Sequence, residues 1–390
     1  MSDEQVVEGL VTQLLEECPP ESTAEVDFLG RQYDLGLAWI QFAEGDGGLA
    51  MSPKLNRNVV TGVAKSGGPI GGMKNPIGYG MCGPAVEVHG TPEQKKLLRP
   101  LYTNEHIWCQ LFSEPGAGSD VASLSMRAVR DGDEWIVNGQ KVWTTLAHIS
   151  KYGLLIARSD PEQPKHRGLT AFIVDMEAPG VEVKPLVQIT GEAEFNEVFF
   201  TDVRIPDSMR VDEVGKGWGV SITTLMNERV SIGGGTPPRN SGPIGQLLGV
   251  WEKAGVDDPA VRDRVMQLWS AAEVNRLTNM RAAVNRKAGT PGPEGSVSKI
   301  AMAELNKEIY DFALDLMGAD GMLYDSYTGH QPKMALFSDD MHKNFLRARA
   351  NSIEGGTTEI MKNIIGERVL GLPGDVRVDK ELPWSEVPRS

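Results

Sequence analysis

The hydrophobic period of this 390-residue chain changes twice, and those two changes constrain its architecture more than any single motif. Over 3–17, Val6, Val7, Leu10, Val11, Leu14 and Leu15 recur at helical spacing, and Pro19-Pro20 ends the pattern. At 91–98, Thr91 stands as an N-cap, Pro92 occupies the first helical position and Gln94 closes a capping box. Between about 124 and 205 the period drops to two, in the runs RAVR, EWIV, QKVWTT, YGLLIARS, LTAFIVDM, VEVKPLV and NEVFFTDVRI. Asp131-Gly132 and Asn138-Gly139 supply the positive φ angles of tight hairpins, which predicts an antiparallel meander closed into a small barrel or sandwich. After Gly217 the helical period returns through SITTLMNERVSI, 261–288, 296–318 and TEIMKNIIGERVLG. The order predicts an α+β chain of three units: an N-terminal helical domain (1–108), a middle β domain (109–212) and a C-terminal helical bundle (213–390).

Charge and composition remove several function classes. A formal net charge of -14 repels nucleic acid and anionic lipid, and no run of eighteen apolar residues is present to insert in a membrane. The acidic opening MSDEQVVEGLV lacks the features of a secretory or transit segment, so a cytoplasmic protein is expected. Cys18, Cys82 and Cys109 form neither a CxxC pair nor an even framework; without HExxH or clustered histidines, no metal is expected. The Gly/Pro-rich stretch 45–85 has no preceding strand and no GxGxxG or GKS frame, and reads as loop.

Four stretches can carry chemistry. Residues 110–120, QLFSEPGAGSD, end an apolar strand in a glycine-bearing turn that offers backbone N–H groups and the hydroxyls of Ser113 and Ser119; a plain surface turn has the same composition. In Lys141-Val142-Trp143-Thr144-Thr145, alternation puts Trp143 and Thr145 on one face and Thr144 on the other, an indole beside a hydroxyl that suits a flat heterocycle or ordinary packing. In the helix around Asn227-Glu228-Arg229, Trp218, Ile222, Leu225 and Ile232 share a face, with Arg229 at its middle and Glu228 at its edge. A carboxyl against an apolar stripe has its charged form disfavoured, as a base for a carbon acid needs, although a structural ion pair is the alternative. Finally, Glu354-Gly355-Gly356-Thr357-Thr358-Glu359 is a glycine hinge before a helix with Ile360, Met361, Ile364, Ile365 and Val369 on its apolar face. Its start is either a simple cap or a seat for an anionic or polar ligand edge.

In this order around an α-β-α pattern, QLFSEPGAGSD, NGQKVWTT and EGGTTEIMKNIIGERVLG, with HGTPEQKKLLRPL at 89–101, resemble the acyl-CoA dehydrogenase family over roughly residues 30–372. The resemblance implies FAD held between the middle and C-terminal domains and touched by a neighbouring subunit of a homodimer or homotetramer. It places Phe112, Ser113, Gly118 and Ser119 at the flavin or the thioester. It sets Trp143 and Thr145 flanking the isoalloxazine with Thr145 near N5, gives Thr357 and Glu359 cofactor contacts, and puts Arg229 and Gly356 near the acyl-CoA.

The family carries its base in either of two segments. Alignment on Gly356-Thr357 puts Gly355 at the C-terminal option, with Glu354 one residue early, whereas Glu228 stands immediately before Arg229 without any shift. Glu228 is therefore the expected base and Glu354 the runner-up. The implied reaction is α-proton removal by Glu228 with hydride transfer from Cβ to flavin N5, the electrons passing on to an electron-transferring flavoprotein. Two departures stand out: no Arg-x-x-Phe-Gly stretch occurs at 240–265, and the Gln-x-x-Gly-Gly pattern reads Asp315-Leu316-Met317-Gly318-Ala319. An acyl-CoA oxidase and a non-catalytic acyl-CoA-binding partner subunit remain as alternative readings.

Overall fold

The computed structural model describes residues 1–233, 237–287, 294–324, 340–374, 376 and 379–388; the side chains of 228–233, 286, 287 and 294 lie outside that description. Residues 1–186, 194–227 and 378–390 form one compact unit, and 187–193 with 228–377 form another.

The first unit opens with α1 (Asp3–Glu17), which begins at a Ser2–Gln5 capping box and buries Val7, Val11 and Leu14. Five further helices follow: α2 (Glu25–Asp34), α3 (Asn56–Lys65), α4 (Gly83–His89), α5 (Pro92–Lys95) and α6 (Leu98–Tyr102). The expected Thr91–Gln94 capping box is present. Gln94 also donates from Nε2 to the carbonyls of Ser208 and Arg210, both at 2.8 Å, so one side chain closes a helix start and fastens it to a strand end.

The β runs pair as one eight-stranded sheet: β1 (Trp108–Leu111), β2 (Arg127–Asp131), β3 (Glu134–Thr145), β4 (Tyr152–Arg158), β5 (Leu169–Asp175), β6 (Val181–Pro185), β7 (Phe195–Pro206) and β8 (Arg210–Val211). Its order is β6-β7-β3-β2-β4-β5-β8, with β1 beside β4. Pairing is mainly antiparallel, as the hairpin signals imply, with parallel contacts of β4 to β1 and β2. Alternation divides the core. Leu154, Ile156 and Ile173 join the N-terminal helical core, while Leu155, Phe172 and Val174 join Trp135, Val198 and Phe200 on the opposite face.

Asp131-Gly132 turns β2 into β3 as expected, with Gly132 at φ 64°. Asn138-Gly139 does not turn. β3 runs straight through it, with a bulge against β7 between Val137 and Gly139, and Gly139 holds φ 147°. A Cβ on Gly139 would lie 3.0 Å from the Met126 Cα, so the glycine serves close backbone approach inside a strand rather than a hairpin. Gly139→Ala is expected to lower stability by about 1–3 kcal/mol, read from the midpoint of urea unfolding; an unchanged midpoint would contradict this account of the bulge.

The helix α7 (Gly217–Gly233) packs part of its apolar stripe and more besides. Trp218 and Leu225 lie partly buried against the N-terminal core. Val220, Ser221 and Thr224 are buried more deeply, while Ile222 is 40% and Met226 61% exposed. Both hydroxyls are satisfied within the helix, Ser221 donating to the Gly217 carbonyl and Thr224 to that of Val220, so small polar residues can be buried there at no cost in unpaired groups.

The second unit is built from α8 (Pro243–Ala254), α9 (Pro259–Lys287), α10 (Glu294–Met317), α11 (Met341–Ala348) and α12 (Thr358–Arg368). Ile244, Leu247, Leu268, Ile309, Ala313 and Ala348 form its core, with α10 packed against the other four helices. No described helix is long and apolar enough to cross a membrane.

Candidate active site

The site residues of the first unit are set by a break in β3. Lys141 opposes Val198 and Thr144 opposes Asn196, so β3 carries one extra residue at this point. Trp143 takes φ 60° and Leu146 φ 59°, left-handed conformations that cost non-glycine residues about 1–3 kcal/mol each. The insertion separates two residues that strict alternation would put on one face: Lys141 is fully buried and Trp143 is 58% exposed. Thr144 is 1% exposed and Thr145 half-buried, the division expected for these two. Asn196, wholly buried on the facing strand, donates from Nδ2 to the carbonyls of Thr144 (3.1 Å) and Glu194 (3.2 Å). The Phe195 ring meets the indole edge-on at 5.9 Å.

The buried Lys141 shapes the neighbouring turn. Its Nζ donates to the Phe112 carbonyl and to Glu114 Oε1, each at 2.9 Å. The Glu114 carboxylate also accepts from Ser125 N (2.6 Å), Ser125 Oγ (2.8 Å) and Met126 N (2.9 Å). Burial pushes the Glu114 carboxyl up, but the Lys141 ammonium and those two amides outweigh it and hold the carboxyl below its usual range. Burial is likewise the largest influence on Lys141 and lowers it, against the pull of Glu114. With Val142 N donating to the Ser113 carbonyl, and Glu114 and Ala117 bonded backbone to backbone in both directions, the turn 114–117 is pinned at its base. Phe112 is buried in the core, Ser113 is half-buried and Ser119 exposed. A Cβ on Gly116 or Gly118 would meet nothing within 4 Å, so their backbone lies open to a ligand.

The second unit holds the residues of the other motif. Gly355 and Gly356 take φ 62° and 96°, and a Cβ on Gly356 would lie 2.5 Å from the Met361 Cε. Thr357 caps α12, its hydroxyl accepting from Ile360 N at 3.2 Å. Thr358 is 8% exposed and its Oγ1 makes no hydrogen bond among the described residues. It lines an open cleft of about 430 Å³ together with Ser352, Ile353, Glu359 and Lys362. The Lys299 ammonium also has no hydrogen-bond partner among the described residues; burial lowers its pKa, with Glu354 and Glu359 pulling the other way. Both oxygens of Glu354, the runner-up base, are engaged: Arg347 Nη2 donates to Oε2 at 2.6 Å and Asn351 Nδ2 to Oε1 at 2.7 Å. Glu228 and Arg229 belong to α7, and their side chains lie outside the described residues.

The structure thus brings Phe112, Ser113, Gly118, Ser119, Trp143 and Thr145 into one neighbourhood of the first unit, and Glu354, Gly356, Thr357 and Glu359 into one turn of the second. The reading of the residues assigned no role to Glu114, Lys141 or Asn196. A charged residue in each of two motif stretches, Glu114 just past the apolar strand β1 and Lys141 inside β3, was the available signal for the pair. Among the described residues no cluster of His, Cys, Asp or Glu could hold a metal ion.

The fold and these two residue sets suit a flavoprotein dehydrogenase: an exposed indole on a rigid strand beside a turn of open backbone, and a glycine-hinged helix start with a buried hydroxyl that is unpaired among the described residues. The sequence pattern of the acyl-CoA dehydrogenase middle domain matches residues 109–203, and that of the C-terminal domain matches 215–370. The chain belongs to the acyl-CoA dehydrogenase family, which makes it an oxidoreductase acting on CH–CH bonds with FAD as its cofactor. It is 35% identical over 344 residues to Acyl-CoA dehydrogenase IpdE1 of Mycobacterium tuberculosis, covering 88% of this chain and 86% of that one. It is 40% identical over 292 residues to Acyl-CoA dehydrogenase FadE34 of the same organism, covering 74% of this chain but 39% of that one. Among solved structures, the ChsE4-ChsE5 complex from Mycobacterium tuberculosis matches with a TM-score of 0.70 and 27% identity, over 95% of this chain and 97% of that one.

Proposed function

We propose that the chain oxidises an acyl-CoA thioester to the trans-2-enoyl-CoA, with Glu228 as the base. The observation that carries the proposal is the bulge of β3, which holds Trp143 outward in a strained backbone conformation beside the pinned 112–119 turn. Strain kept at one exposed aromatic residue is a mark of a binding surface rather than of packing. FAD, when bound, supplies the acceptor for the hydride that leaves Cβ. The indole of Trp143 and the hydroxyl of Thr145 would flank its ring system, while the open backbone at Gly116 and Gly118 and the hydroxyl of Ser119 would meet the cofactor or thioester. Thr358 Oγ1 and Lys299, both without hydrogen-bond partners among the described residues, would bind polar or anionic parts of the ligand in the second unit, where no Arg-x-x-Phe-Gly segment stands.

Glu228 takes the α-proton. Position 228 follows Thr224 by one turn, in the row that runs through Gly217 and Ser221. The engagement of both Glu354 oxygens by Arg347 and Asn351 argues against Glu354 in that role. Arg229, the next residue, would meet the acyl-CoA. Hydrogen bonds to the thioester carbonyl lower the barrier by stabilising the negative charge that develops on its oxygen as the proton leaves.

Electrons would pass to an electron-transferring flavoprotein. Steady-state turnover with and without that protein tests the point: enoyl-CoA should accumulate only when it is supplied, whereas hydrogen peroxide formed mole for mole with enoyl-CoA would mark an oxidase. The chain would work as an oligomer, a homodimer or homotetramer, through α9, where Val274, Leu277, Met280 and Val284 leave an apolar stripe in solvent. The similar ChsE4-ChsE5 chains form a complex and give precedent for assembly.

A further inference from the structure

Beyond the residues assigned above, the segment 379–388 lies along the β unit and fastens the far end of the 112–125 stretch. Trp384 is its anchor. The Arg158 guanidinium lies 4.7 Å from the Trp384 ring centroid, and the indole Nε1 donates to the Ser123 carbonyl at 3.2 Å. Arg158 is 2% exposed and donates from Nη2 to the carbonyls of Ala122 (2.6 Å) and Leu124 (3.2 Å), and from Nη1 to that of Lys165 (2.8 Å). A second tie runs through Lys165, whose Nζ donates to Asp379 Oδ2 at 2.7 Å and to Asp120 Oδ2 at 2.8 Å. Backbone bonds from Trp384 N to Gln163 O and from Ser385 N to Pro161 O, both 2.9 Å, set the segment's register. The 112–125 stretch is therefore closed at its base by Lys141 and by Glu114, which reaches across to Ser125 and Met126, and is held over 120–124 by Lys165 and by Arg158 under Trp384.

We infer that residues 379–388 are a strap, and that Trp384 is a positioning residue: through Arg158, and with Asp379 acting beside it through Lys165, it holds the 113–125 loop in the shape that binds FAD. The inference rests on the reading of that loop as cofactor-binding. An indole over a largely desolvated guanidinium combines cation–π attraction with cover from water, and the three carbonyls below it keep their donor only while Arg158 stays in place. Removing the ring opens the loop from a distance, without touching any residue assigned to FAD.

The test compares FAD-loaded parent, Trp384→Ala, Trp384→Phe and Lys141→Met by hydrogen exchange and by flavin fluorescence released on dilution. Trp384→Ala should raise exchange of the amides of 117–126 and speed FAD release, each by roughly tenfold, while protection of the helices in the second unit stays as in the parent. Trp384→Phe, which keeps a ring over Arg158, should recover most of both. Unchanged loop exchange in Trp384→Ala overturns the strap. Faster FAD release in Lys141→Met but not in Trp384→Ala also overturns it and leaves the loop's cofactor role standing. If both variants open the loop and neither releases FAD faster, the cofactor reading of the loop fails and takes the inference with it.

Discussion

Glu228→Gln is expected to slow reduction of the flavin by an acyl-CoA by about 10²–10⁴-fold, the range that a general base contributes. The substitution keeps size and hydrogen-bonding capacity and removes only the ability to take a proton, so FAD content and the unfolding midpoint should match the parent. Glu354→Gln is the matched control. Its carboxylate is already held by Arg347 and Asn351, so its loss should show in stability, with the rate of flavin reduction changed little. A large rate loss in Glu354→Gln with a normal rate in Glu228→Gln would transfer the base to the C-terminal turn.

The second large effect is expected at Lys141. Replacing it with Met leaves Glu114 in a buried site without its cation, and breaking a buried pair by removing one partner costs about 3–5 kcal/mol. Because the same ammonium also holds the Phe112 carbonyl, the damage should centre on the 112–126 loop and appear as loss of FAD as well as a lower unfolding midpoint. The pair also sets a pH dependence. The Glu114 carboxyl is lower in the folded protein than its unfolded value of 4.5, so its stabilisation is complete above that value and is lost as pH falls through the folded value. Stability of the parent should therefore fall on acidification below about 4.5 more steeply than that of Glu114→Gln. Equal slopes would mean that the carboxylate is not the group that responds.

What could be read from the residues alone was local. The helix over 3–17, the Thr91 capping box, the Asp131-Gly132 hairpin and the α-β-α order each depend on neighbours a few positions away, and each is present. Asn138-Gly139 carries the same local signal as a hairpin, yet there the chain runs on as a bulged strand, with the backbone of Met126, just before β2, lying against Gly139. On α7 the apolar stripe was only part of the packed surface: Trp218 and Leu225 lie against the core, but the deepest positions are Val220, Ser221 and Thr224, whose small side chains suit close packing.

The site shows the same division. The 110–120 turn and the Trp143 strand were visible as motifs, and alternation assigned Thr144 and Trp143 to opposite sides correctly. The Lys141–Glu114 pair was not, since its two residues stand 27 positions apart and only the sheet brings them together. The strap was less accessible still. Trp384 meets Ser123 across 261 positions, and nothing in the residues near either one indicates the other.

Anaerobic mixing of FAD-loaded protein with short, long, branched and steroid-type acyl-CoAs, followed at the visible flavin band, tests the central claim most directly. The account predicts bleaching by at least one of these thioesters, with one enoyl-CoA formed per flavin reduced. Flavin that binds normally yet stays oxidised with every thioester, and with no enoyl-CoA formed, would contradict it and favour a non-catalytic acyl-CoA-binding subunit.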